Sequence, residues 1–280
     1  MGFINGRTFV YNDIPSDNYN LVIGYSDVPE SFETGLNREL MQGDTNMERH
    51  IANQYGARYS APLSHSFDIF HPDGSVFSSS ESHAINQWLS QDTYHPFYVI
   101  DDTDASENYI YYAIFTEITD FAYNGLNGKH VTMMCNSSFG YTQPITKSYT
   151  VNGKKTVKLL NQSDDGDYYP TVQIIAPKDY NGSVKLKNTA NDKDVVTYTL
   201  NDIDVVNERK ILNIDTERGL ITDGNNKLIP LYKLGISCNS KLLPLYWFHL
   251  YPARNTIQIT TDAEVIVKMT FSFPRKVGLT

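Results

Sequence analysis

The sequence predicts a mainly β protein in two parts: an N-terminal β-rich domain with one α-helix and an extended arm, then a C-terminal β-sandwich. Three observations predict it. Short apolar runs bounded by Gly, Asn, Asp and Pro fill most of the chain, as in antiparallel sheets. A single stretch joins helical periodicity to a helix start signal. The charge changes sign along the chain. Residues 1–140 hold 5 Lys+Arg against 18 Asp+Glu, a net of −13, and residues 141–280 hold 18 against 14, a net of +4, which together give the overall −9. Two domains in different surroundings account for such an asymmetry.

The first domain, residues 1–140, opens as a hairpin. Phe3 and Ile4 face Thr8 to Tyr11 across Asn5-Gly6, a dipeptide that takes the positive φ values of a tight turn. Leu21-Val22-Ile23 is a short buried strand. Residues 24–57 carry Gly, Pro, Asn and charge without a period and read as an arm, unusual in a compact domain unless it reaches a partner such as a neighbouring subunit. His65 to Phe70 alternates, with Phe67 and Ile69 opposite Ser66 and Asp68, and His71-Pro72-Asp73-Gly74 turns the chain. Ser78 and Glu81 then form a capping box, and Ala84, Ile85, Trp88 and Leu89 make one apolar stripe. Ile85, Trp88 and Leu89 are the expected anchors of this helix, which His95-Pro96 ends. Strands are expected at Phe97 to Ile100, Tyr109 to Thr116 and His130 to Cys135, the last preceded by a turn at residues 124–128.

Residues 136–150 are rich in Ser, Thr, Gly and Pro without a period, and a linker is expected at 141–150. The second domain, residues 151–280, reads as all β. Its expected strands are Thr156 to Leu160, Thr171 to Ala176, Ser183 to Asn188, Val195 to Leu200, Lys210 to Asp215, Leu220 to Thr222, Leu245 to Leu250, Thr256 to Thr260 and Val265 to Phe273. Many short strands with turn signals between them indicate a sandwich.

Composition narrows the function. Hydrophobic residues at 40% and charged residues at 20% suit a folded protein with real cores. An acidic first half argues against a protein that grips nucleic acid. Neither a membrane-length apolar run nor a secretory leader is expected, and Cys135 and Cys238 lie far apart, as reduced structural cysteines do. Chemistry is scarce. The sequence has no Gly-x-Ser-x-Gly elbow, no His-Glu-x-x-His, no Cys-x-x-Cys and no phosphate loop. His65, Asp68 and His71 are the nearest thing to a metal cluster, but Asp68 points to the other strand face. Asp164-Asp165-Gly166-Asp167 lacks the alternation and distal Glu of a calcium loop and reads as a solvated turn. Trp247, with Tyr246 and Tyr251, forms either a saccharide-stacking platform or a core strand. No catalytic residue, cofactor or metal is assigned.

Two regions carry a resemblance. Leu36-Asn37-Arg38-Glu39-Leu40-Met41-Gln42-Gly43-Asp44-Thr45-Asn46, then Gly56 and Tyr59, then Ser66-Phe67-Asp68-Ile69-Phe70 and the helix with Trp88-Leu89, resemble the N-terminal belt domain of siphophage distal tail proteins (Dit). Tyr169-Pro170-Thr171-Val172-Gln173-Ile174, Ile211-Leu212-Asn213-Ile214-Asp215-Thr216 and Pro252-Ala253-Arg254-Asn255-Thr256-Ile257 are similar to that family's C-terminal domain. Arg254 departs from the pattern, which has Gly before Asn255, and this puts the turn's conformation in question. The resemblance implies a ring-forming N-terminal domain, a galectin-like C-terminal sandwich and no catalysis. It implies a homo-hexameric ring between the tail tube protein and a tail-tip or tail-associated protein, with a receptor-binding protein as a further partner and no membrane. The place implied is the distal end of the virion tail, after assembly in the host bacterial cytoplasm. His249, Arg254 and Asn255 do not reproduce the spacing of a galectin sugar site, and fold likeness is not evidence of sugar binding.

The leading expectation is therefore a structural ring hub. A module for host cell-wall saccharide is the alternative, and a cell-wall hydrolase would need a close carboxylate pair in a deep cleft. If the ring passes DNA without binding it specifically, an acidic lumen would let the duplex slide, and Asp101, Asp102, Asp104 and Glu107 are the candidate lumen residues. An acidic loop on the outer rim explains the same residues equally well.

Overall fold

The computed structural model describes residues 8–24, 39–42, 54–59, 61–100, 109–123, 126–192, 194–234 and 246–276. Among the described residues the fold is mainly β, with antiparallel sheets and one α-helix. It divides into two compact units, Met1–Gln143 with Pro274–Thr280, and Pro144–Phe273. The expected Asn5-Gly6 hairpin and the candidate lumen residues Asp101, Asp102, Asp104 and Glu107 lie outside the described residues.

The first unit is built on a seven-stranded sheet. Its strands are β1 (Thr8–Tyr11), β2 (Ile14–Pro15), β3 (Val22–Gly24), β6 (Ser64–Phe70), β7 (His95–Ile100), β8 (Tyr111–Tyr123) and β9 (Leu126–Cys135), in the order β2-β1-β7-β8-β9-β6-β3. Between β3 and β6 in the chain, β4 (Glu39–Gln42) and β5 (Gln54–Arg58) form a separate two-stranded sheet within the expected arm. β1 approaches β3, so the large sheet curls around an aromatic core of Phe9, Tyr11, Phe67, Phe97 and Phe115.

Helix α1 (Ser79–Leu89) closes this core. The capping box is present: the Glu81 amide donates to Ser78 Oγ at 3.2 Å, and the Ser78 amide donates to Glu81 Oε2 at 2.8 Å. Ile85, Trp88 and Leu89 are all buried. Trp88 is held between Phe9 (centroids 5.5 Å apart, planes at 14°) and Tyr19 (4.8 Å, 20°), and its indole N–H donates to the Tyr11 carbonyl at 3.0 Å. The helix stops at Leu89, before His95-Pro96, which instead begin β7.

Two more departures have one cause. β8 runs to Tyr123, past its expected end at Thr116, because Glu117, Thr119 and Asp120 are exposed and leave no apolar alternation to read, and β9, paired with this extension, starts at Leu126 inside the expected turn. The expected linker is likewise largely strand: β10 (Gly140–Tyr141) and β11 (Ile145–Val151). β11 is a sheet edge exposed along most of its length, which leaves its sequence polar on both faces. β10 pairs with β21 (Pro274–Arg275), so the end of the described chain returns to the first unit.

The second unit is a sandwich of two sheets over one core. β11, β13 (Thr171–Pro177), β16 (Val205–Val206), β17 (Arg209–Asp215), β18 (Leu220–Asp223) and β20 (Val265–Phe271) form one sheet. β12 (Lys154–Asn161), β14 (Ser183–Asn188), β15 (Val195–Thr199) and β19 (Ala253–Thr261) form the other, in the order β12-β19-β14-β15. Strict alternation of burial, as at Val265, Val267, Met269 and Phe271, sends every second side chain into the shared core. Lys210 crosses this interior. Its ammonium donates to the carbonyls of Tyr180 (2.8 Å), Leu200 (2.9 Å) and Asn201 (3.2 Å) and to Asn181 Oδ1 (3.0 Å).

Candidate functional site

The expected strand Leu245 to Leu250 is not a strand over its described residues. Residues 246–249 are irregular and Leu250 makes one bridge, to Tyr168. Side-chain amides replace the ladder. Asn161 Nδ2 donates to the Leu250 carbonyl (3.1 Å), Asn188 Nδ2 to the His249 carbonyl (3.2 Å), and the Tyr251 amide donates to Asn255 Oδ1 (2.9 Å). Asn188 and Asn255 also bond each other at 2.8 Å, and all three asparagines are buried. Backbone groups satisfied this way hold the segment without a neighbouring strand. Nothing local in the sequence reveals these partners, which come from three different strands.

This segment carries the aromatic residues singled out from sequence. His249 lies among three tyrosines, with ring centroids 5.2 Å from Tyr169, 5.3 Å from Tyr246 and 4.9 Å from Tyr251. His249 Nδ1 bonds the Trp247 carbonyl at 3.0 Å, and Nε2 faces Asp167 Oδ2 at 4.0 Å. The Tyr251 hydroxyl donates to Asp194, and this bond holds the phenol above its usual pKa. Burial pushes the Tyr246 phenol up as well, and its hydroxyl is buried without a hydrogen-bond partner among the described residues. Trp247 is not part of this group: its indole lies over Gly219, where a Cβ would come within 3.2 Å. The structure thus joins Tyr246 and Tyr251 through His249 and leaves Trp247 apart. Stacking and hydrogen bonding are what this cluster can supply. Asp194 is already bound to Tyr251, and no nucleophile–base pair is formed among these side chains.

Other sequence candidates have separate partners. Asp68 Oδ1 bonds His130 Nδ1 at 2.8 Å, His71 Nδ1 bonds the Asn20 carbonyl at 3.0 Å, and His65 stacks against Phe67. Burial lowers the His65 pKa to about 4. Among the described residues no group of three His, Cys, Asp or Glu could hold a metal. Residues 163–167 form a turn stitched by Asn161 and Ser163, with Asp164, Asp165 and Asp167 exposed. The turn before Asn255 puts its positive φ on Ala253 (69°) and not on Arg254, so Arg254 needs no glycine-like conformation. Sequence reasoning missed Lys129. It is buried, and its ammonium donates to Asp120 Oδ1 (2.6 Å) and to Ser82 Oγ (2.8 Å) on α1.

The comparisons with known proteins point one way. Residues 4–137 match the family described as phage tail protein N-terminal domain. No curated protein matches the chain. The chain is similar to the Dit protein (gp 19.1) of phage SPP1, with 13% identity, a TM-score of 0.59, and coverage of 95% of this chain and 98% of that one. That protein is described as a paradigm of the hub adsorption apparatus in phages infecting Gram-positive hosts. A chain of the phage P2 baseplate, in its activated conformation with Ca, is similar at 9% identity and a TM-score of 0.53, over 94% of this chain and 97% of that one. Residues 4–137 thus match the phage tail protein N-terminal domain family, and along nearly its whole length the chain has a fold similar to that of SPP1 Dit.

Proposed function

We propose that this protein is the distal tail protein of a long-tailed phage: a non-enzymatic hub in which six copies form a ring between the tail tube and the tail-tip protein. The observation that supports the ring most directly is the β4–β5 hairpin. It stands apart from the seven-stranded sheet, and a two-stranded hairpin is at best marginally stable on its own. A neighbouring copy would supply the missing surface. In this reading the first unit builds the ring, DNA passes through it, and the galectin-like second unit binds tail-tip or receptor-binding proteins. The acidic run Asp101, Asp102, Asp104 and Glu107 is assigned to the lumen on charge alone. The saccharide alternative rests on the tyrosines around His249, and the separation of Trp247 from them weakens it.

Light scattering and negative-stain imaging of the full chain test the ring. Six-fold particles with a central hole are expected, and a variant lacking residues 39–58 should be monomeric. A monomeric wild-type protein at micromolar concentration, or rings that persist without the hairpin, would overturn this assignment.

A further inference from the structure

The outer face of the four-stranded sheet carries cations and no acids. On β12 the outward side chains are Lys154, Thr156, Lys158 and Leu160, and opposite them on β19 stand Thr260, Gln258, Thr256 and Arg254. Across β19, on β14, Lys185 is level with Thr260 and Lys187 with Gln258. β15 adds Thr197 beside Lys185 and Val195 beside Lys187. The register therefore places Thr260 between Lys154 and Lys185, and Gln258 between Thr156 and Lys187. Lys187 is engaged by Asp192 at 2.6 Å. Lys154, Lys158, Lys185 and Arg254 are exposed and make no ion pair among the described residues. Strand geometry spaces the charges about 13 Å apart along β12 and about 10 Å from β12 to β14.

We propose that this face is a docking surface for a linear polyanion of the polyol-phosphate type, a chain of phosphodiesters without bases. Charge complementarity names the occupant. Lysines in a row bind phosphates as point charges, and the threonine hydroxyls and the Gln258 amide between them can donate to the non-bridging oxygens. The face has no aromatic side chain, so it offers nothing on which nucleic-acid bases would stack. It also lacks the apolar centre of a protein interface, where lysine is depleted; Leu160 and Val195 are its only large apolar members and stand on its two edge strands. This inference does not depend on the ring assignment.

The test measures binding of a synthetic poly(glycerol phosphate) oligomer to the full-length protein by calorimetry. Single-stranded DNA and poly-glutamate of equal charge serve as the other two arms. Binding of poly(glycerol phosphate) should weaken roughly 50-fold between 50 and 200 mM salt, the dependence expected for four released counterions. The variant K154Q/K158Q/K185Q/R254Q should lose at least tenfold at low salt and most of that salt dependence. Two half-variants, K154Q/K158Q and K185Q/R254Q, keep the test decisive if the fourfold change disturbs folding: each should lose about half the slope. Equal binding by wild type and both half-variants would overturn the site. Tighter binding of DNA or of poly-glutamate than of poly(glycerol phosphate) would overturn the occupant.

Discussion

Truncating Trp88 should unfold the first unit selectively. The side chain is 4% exposed and is sandwiched between Phe9 and Tyr19, with its N–H on the Tyr11 carbonyl. Trp→Ala in a packed core costs about 3–5 kcal/mol, and the lost hydrogen bond adds about 1 kcal/mol. For a unit of this size, each kcal/mol lowers the melting temperature by about 2–4 °C, so Trp88→Ala should melt the first unit about 10–20 °C early. Trp88→Phe keeps an aromatic face between Phe9 and Tyr19 and loses the N–H, so it should cost about 1–2 kcal/mol. The chain has only two tryptophans, Trp88 in the first unit and Trp247 in the second. In Trp88→Ala, Trp247 fluorescence reports the second unit alone, while near-UV dichroism of the tyrosines follows both. A first unit that melts at the wild-type temperature would refute the helix packing described above.

Lys210→Met keeps the stem and removes the ammonium from four oxygen acceptors, and it should destabilise the second unit by about 3 kcal/mol. An unchanged urea midpoint by Trp247 fluorescence would mean those oxygens are otherwise satisfied. The half-buried His65 has a folded-state pKa near 4, below its unfolded value, so the unfolded chain binds the extra proton first. Its contribution to stability should fall as pH drops from about 6.5 toward 4, and a His65→Phe variant should show a shallower acid branch between those limits in pH-dependent urea melts.

Local signals were readable and distant ones were not. The helix could be read because Ser78, Glu81 and the Ile85–Trp88–Leu89 stripe all lie within a dozen residues. The sandwich strands could be read because each buries one face, as β13 and β17 do with Val172, Ile174, Leu212 and Ile214. β11 was hidden because it is an exposed edge, and β21 because its partner at Gly140–Tyr141 lies more than 130 residues earlier. Residues 246–250 misled for the opposite reason. Their alternation resembles a strand, but the groups that hold them are the amides of Asn161, Asn188 and Asn255. The tyrosines around His249 were half visible: Tyr246 and Tyr251 were named from sequence, while Tyr169 reaches them only through the fold.

The basic face was not readable at all, since lysines on β12 and β14 become neighbours only through the register of β19 between them. An ordinary solvated surface is the competing explanation, and the distribution of charge favours the docking face. The four strands β12, β19, β14 and β15 have 8, 9, 6 and 5 residues, a fifth of residues 141–280. About half of these side chains face outward, so of the 14 acids in residues 141–280 about one would fall on the face by proportion, and none does, while Lys154, Lys158, Lys185 and Arg254 do. Solubility alone favours mixed signs, and added acids serve it better than added lysines. Lys155, the β12 lysine that points away from the face, lies over the Tyr149 ring and bonds the Thr150 carbonyl. Lys154, Lys158 and Lys185 instead make no ion pair among the described residues, as a surface that attracts a negative chain requires.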